Sequence, residues 1–82
     1  MLAKVNGINR GYFELDRVYE GKPYKQRFLQ IETENADGQI KIDRVRVPVE
    51  KVEKACDLPV LEEIEIEVDF SVYKGYLNIA LV

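Results

Sequence analysis

Between Glu63 and Val72 apolar and polar residues alternate without a break. Ile64, Ile66, Val68, Phe70 and Val72 fall on one face, and Glu63, Glu65, Glu67, Asp69 and Ser71 on the other. A period of two belongs to a β-strand; a helix would scatter the five apolar side chains around its surface. The segment Val60 to Tyr73 is therefore expected to be a half-buried strand, and the rest of the chain must cover its apolar face. The acidic row opposite is expected to be a solvated face that also repels edge-to-edge pairing. With 82 residues, of which 46% are hydrophobic, there is material for one domain with a small core.

The remainder of the chain supplies strands to match. Leu2 to Val5 alternates, and Asn6-Gly7 is a turn signal, which predicts a short first strand or arm. Arg10 and Gly11 lead into a strand over Tyr12 to Tyr19, with Phe13 and Leu15 on one face and Tyr12, Glu14, Asp16 and Val18 on the other. A turn at Gly21 to Pro23 reverses the chain into a long strand, Tyr24 to Glu34. Leu29, Ile31 and Thr33 face the core there, and Phe28 faces away. Asn35 to Gly38 is a hairpin signal. The return strand, Gln39 to Val47, changes phase between Ile40/Ile42 and Val45/Val47, which predicts a β-bulge near Asp43 and Arg44 that keeps all four buried.

Pro48 ends that strand, and the spacing Val49, Val52, Cys56 predicts about two helical turns. Lys74-Gly75 turns the chain into a last strand, Tyr76 to Val82, with Leu77, Ile79 and Leu81 inward. The expected fold is all-β: a small five-stranded antiparallel OB-like barrel over residues 1–82, with one short helix between the third and fourth strands. A domain of this size often gains stability by association, and the run Leu77, Ile79, Leu81 and Val82 exceeds what one small barrel covers, so a homodimer is expected.

Composition narrows the chemistry. There is no histidine, which removes His-based triads, His metal ligands and an imidazole base. The single cysteine, Cys56, has no partner base and no disulfide partner within the chain; it is expected to be a small buried hydrophobe beside Ala55. Carboxylates alternating along a flat strand point parallel and do not wrap a cation, and neither an EF-hand, a Walker loop nor a GxGxxG motif is present. No apolar run approaches the ~20 residues of a membrane span, and the first residues lack the apolar region of a signal peptide, so a cytoplasmic location is expected. The expectation is a binding module with no catalytic residues, metal, cofactor or small-molecule substrate.

The net charge of −3 is unevenly spread: residues 1–47 carry nine Lys and Arg against seven Asp and Glu, and residues 48–82 three against eight. The basic half holds the densest ring-and-cation cluster, Tyr19 to Phe28. Exposed rings beside cations suit a flat, anionic ligand, because aromatic faces stack on bases while cations track phosphates. The candidate stacking residues are Tyr12, Tyr19, Tyr24 and Phe28. The candidate phosphate contacts are Arg10, Arg17, Lys22, Lys25, Arg27, Lys41, Arg44 and Arg46.

The G-K-P-Y of Gly21 to Tyr24, the polar and aromatic strand after it, the hairpin, and the aromatic-glycine run Tyr73-Lys74-Gly75-Tyr76 carry a resemblance. From about Tyr12 to Val82 the chain resembles the small single-stranded DNA-binding proteins of filamentous phages, the gene V or helix-destabilising type. That resemblance implies a homodimeric OB-like barrel that coats single-stranded DNA cooperatively, with RNA left open as a second ligand, and acts in phage or mobile-element replication. It implies DNA contacts at Lys22 and Tyr24, and a place near the dimer dyad for Tyr73. The chain departs from the family at Tyr19, where the family's DNA-binding arm has a basic residue just before G-K-P-Y. A second expectation, from a different class, is a dimeric protein–protein adaptor using the Glu63 to Asp69 face or an exposed strand edge.

Overall fold

A computed structural model describes residues 1–82. Five strands form a closed barrel: β1 (Leu2–Tyr19), β2 (Lys22–Glu34), β3 (Ile40–Arg46), β4 (Glu63–Tyr73) and β5 (Tyr76–Leu81). Around the ring the order is β1-β2-β3-β5-β4, with β4 pairing back onto β1. The expected barrel is present with one difference, a parallel contact between β3 and β5 at Arg46↔Ala80. Parity demands it: strand directions cannot alternate all the way round a closed ring of five.

Between β3 and β4, Val49–Lys51 forms a 3₁₀ turn that runs into α1, Val52–Cys56. It presents Ala55, with Val52 and Leu58, to one end of the barrel. The core is small: Leu29, Ile31, Val45, Val47, Ala55, Ile64, Ile66, Val68 and Leu81. The alternation of β4 thus points inward as expected as far as Val68. Phe70 is half-buried and Val72 exposed, because the β4–β5 hairpin runs past the end of the barrel. Leu77, expected inward on β5, is exposed for the same reason, while Leu81 is buried.

The first strand differs most from expectation. Asn6-Gly7 is not a turn, and Leu2–Tyr19 is one strand that pairs with β4 through its first half and β2 through its second. Gly7 sits where β1 crosses β2; a Cβ there would lie 2.5 Å from the Glu32 carbonyl oxygen and 2.6 Å from Ile31 Cγ2. Close backbone approach, rather than a turn, is what requires glycine. The register then slips between Asn9 and Gly11, leaving Arg10 as the extra residue of a bulge. Asn9 is 1% exposed and fully satisfied. Its Nδ2 donates to the Pro59 carbonyl at 2.9 Å, and its Oδ1 accepts from Gly11 N–H at 2.9 Å, which ties the loop before β4 to the bulge.

The bulge expected near Asp43 and Arg44 is absent. The β2–β3 ladder runs unbroken from Phe28↔Arg46 to Glu34↔Ile40. Val45 and Val47 are buried, and the phase change is resolved by leaving Ile40 and Ile42 outside, 66% and 50% exposed. Cys56 is also exposed, its neighbour Ala55 being the buried one. The β1–β2 connection is tighter than expected, a two-residue turn with positive φ at Glu20 and Gly21, which is the type I′ geometry suited to hairpin twist. Lys74 and Gly75 repeat it between β4 and β5.

Candidate nucleic-acid interface

The two-residue turn fixes the register of the β1–β2 hairpin, so that Phe13 lies opposite Phe28 and Arg17 opposite Tyr24. Leu29 is in the core, hence Tyr24, Gln26 and Phe28 point to the outer face of β2 by the period of two. On that face the Phe13 and Phe28 rings pack at 5.4 Å between centroids with planes 30° apart. The guanidinium of Arg44, from β3, lies 5.4 Å from the Phe13 centroid and 5.7 Å from that of Phe28. A weakly hydrated planar cation stacks well on such rings.

Beyond Phe28 the β2 strand outruns β3, and the two-stranded arm made by β1 and β2 stands free of the barrel. Between this arm, the end of β3 and the first half of β5 lies a groove of about 710 Å³. Six of the sequence-predicted residues line it: Tyr24, Lys25, Arg27, Phe28, Arg44 and Arg46. The other walls are Val47 to Val49 and Leu77 to Ile79, and the only acid among the lining residues is Asp43. The local balance is therefore positive in a chain that is negative overall, and the local potential is what a ligand meets.

The remaining candidates lie elsewhere. Tyr12 packs against the core, and its hydroxyl donates to Glu14 Oε2 at 2.8 Å. Burial, then that hydrogen bond and the Glu14 charge, push the phenol up to about 12. Glu14 is held below the usual carboxylate range by the Tyr12 hydroxyl first and then by Lys25 and Arg27, whose nitrogens each lie 3.7 Å from it. Arg10, at the bulge, stands 3.6 Å from Glu32. Arg17 donates to Gln26 Oε1 at 3.1 Å along the arm. Tyr19 and Lys22 border a shallow hollow at the arm's tip with Tyr24. Lys41 pairs with Asp43 at 3.4 Å, far along β3. Tyr73 is 71% exposed on the opposite hairpin, with the Lys74 ammonium 5.4 Å from its ring.

Phe13 was not among the predicted site residues, although counting back from a two-residue turn at Glu20-Gly21 places it across from Phe28. The β5 wall carries no sequence signal, because it is brought there by ring closure. No group of three or more Cys, Asp and Glu side chains gathers to hold a metal ion. Comparison with family models, with curated proteins and with solved structures finds no match to this chain. What stands of the resemblance is a small five-stranded barrel with one short helix.

Proposed function

We propose that the chain binds single-stranded nucleic acid, DNA in the first place, with little sequence preference, along the groove between the β1–β2 arm and β5. The observation that carries this is the lining itself, two aromatic residues and four cations against one acid on a chain of net charge −3. Bases of any identity stack on Tyr24 and, once Arg44 swings from the rings to a phosphate, on Phe28; Arg46, Arg27 and Lys25 follow the backbone. Partly open five-stranded barrels bind oligonucleotides over the second and third strands and the flanking hairpins, and this groove lies there. Membership of the phage helix-destabilising family, with cooperative coating of single strands by homodimers during phage or mobile-element replication, belongs to the same proposal.

The adaptor alternative has less support: part of the acidic row on β4 is already engaged, with Glu65 3.4 Å from Lys4 of β1. Fluorescence titration with oligo(dT) at low and moderate salt tests the proposal. Saturable binding that weakens with salt supports it, and absence of binding at low salt removes it.

A further inference from the structure

Lys25 and Arg27 reach the groove from the arm, where the β1–β2 register sets Asp16 opposite the first and Glu14 opposite the second. Glu14 engages both cations: its Oε1 lies 3.7 Å from Lys25 Nζ and its Oε2 3.7 Å from Arg27 Nε. Of the six ion pairs in the protein, these two alone involve cations that line the groove. Both are longer than a hydrogen bond. The short contact to this carboxylate is the one from Tyr12, whose hydroxyl donates to Oε2 at 2.8 Å and whose ring packs on the core. Glu14 is thus a negative charge anchored to the barrel through Tyr12, with two cations resting loosely against it. The Tyr12 hydroxyl first, and then Lys25 and Arg27, hold it below the usual carboxylate range, so it is ionised at neutral pH.

We propose that Glu14 is the specificity-determining residue of the groove, an internal counterion that reserves Lys25 and Arg27 for a chain of phosphates and denies them to a single phosphate or mononucleotide. The inference rests on the nucleic-acid reading of the groove. A phosphate approaching Lys25 and Arg27 meets a carboxylate of its own sign, which Tyr12 keeps in place. A single phosphate must overcome that repulsion unaided. In an oligonucleotide the neighbouring phosphates engage Arg46, which is in no ion pair, and Arg44, and so hold the strand at high local concentration while Lys25 and Arg27 turn from Glu14 to the backbone. No other nearby acid takes this part: Glu32 faces Arg10, Asp43 faces Lys41, and Asp16 is in no ion pair.

The salt response carries the magnitude. The four lining cations Lys25, Arg27, Arg44 and Arg46, each matched to one phosphate at ~0.7, would give a slope of log affinity against log salt of about −2.8. Glu14 brings one negative charge to two of them and offsets about one of the four. The bound strand then releases the counterions of roughly three phosphates, and the slope is about −2. Removing the Glu14 charge restores the fourth contact.

The test is Glu14→Gln, which keeps the side-chain length and an amide oxygen for the Tyr12 hydroxyl and removes the charge. Variant and wild type are titrated with oligo(dT) by fluorescence anisotropy over a salt series. Both are also titrated with inorganic phosphate, in the absence of nucleic acid, by the NMR shifts of Lys25 and Arg27. Oligo(dT) affinity at low salt should rise about 2- to 10-fold, the range for two exposed ion pairs, and the slope should steepen by ~0.7. Phosphate affinity should rise by a larger factor than oligo(dT) affinity, since a single phosphate has no second contact to hold it. Asp16→Asn removes a charge of the same sign two residues along β1 and should leave both affinities within about twofold of wild type, as a solvated charge outside any ion pair does. Equal phosphate affinity in Glu14→Gln and wild type, including no binding by either, overturns the inference, and so does an equal gain from Asp16→Asn. If no chain binds oligo(dT), the nucleic-acid reading itself falls, while a phosphate gain confined to Glu14→Gln still supports Glu14 as the residue that excludes a single phosphate.

Discussion

Replacing Tyr24 separates ligand binding from folding. Its ring is 45% exposed and does not belong to the core or to the Phe13–Phe28 pair, so Tyr24→Ala should change stability by no more than ~0.5 kcal/mol. Base stacking on a ring is worth ~1–3 kcal/mol, hence oligo(dT) affinity should fall about 5- to 150-fold. Tyr24→Phe, which keeps the ring face, should be nearly neutral. Phe28, four residues on, presents its ring on the same face ~13 Å away at ~3.3 Å per residue, far enough to stack on a separate base. Phe28→Ala should behave differently, because that ring also has structural partners. Losing the pair with Phe13 costs ~0.5–1.5 kcal/mol and losing the Arg44 contact ~0.5–1 kcal/mol. At ~4–8 °C per kcal/mol for a domain of this size, Tm should drop by ~5–20 °C along with the affinity. The assay is fluorescence anisotropy with labelled oligo(dT), paired with a thermal melt of each variant. If Tyr24→Ala lowers Tm by many degrees and leaves affinity intact, the ring is structural and the groove proposal loses its best-placed residue.

Arg46 lines the groove and takes part in none of the six ion pairs, so Arg46→Ala should reduce the slope of log affinity against log salt by ~0.7, from a wild-type value near −2 for roughly three phosphates. The Tyr12 phenol, raised from 10.0 to about 12, stabilises the fold fully below pH 10.0, and that contribution is lost as pH rises through about 12. Phenolate absorbance should show one late-titrating tyrosine, and Glu14→Gln should bring its midpoint down only part of the way, since burial is the larger cause. Gly7→Ala should destabilise by ~1–3 kcal/mol in chemical denaturation, because the new methyl meets the Glu32 carbonyl, which cannot rotate aside.

Local patterns determined a good deal of this protein. The alternation of β4, the core face of β2 at Leu29 and Ile31, the helix after Pro48 and the hairpin at Asn35–Gly38 are consequences of side-chain period and turn chemistry, which act over a few residues. Six of the thirteen predicted site residues do meet at one groove, because Tyr24 to Phe28 form one stretch and the β2–β3 hairpin brings Arg44 and Arg46 to it. The tertiary structure decided what depends on distant partners. Tyr12 and Phe13 are neighbours, and only the assembled sheet determines that the first packs on the core and the second beside Phe28. Gly7 reads as a turn until β2 passes within contact of its backbone. Ile40 and Ile42 look like core by composition, yet Val45 and Val47 claim the interior and an unbulged strand cannot turn both pairs inward. Ring closure is the clearest case: the parallel meeting of β3 and β5 and the β5 wall of the groove both follow from joining five strands end to end, a condition that no local stretch of the chain contains.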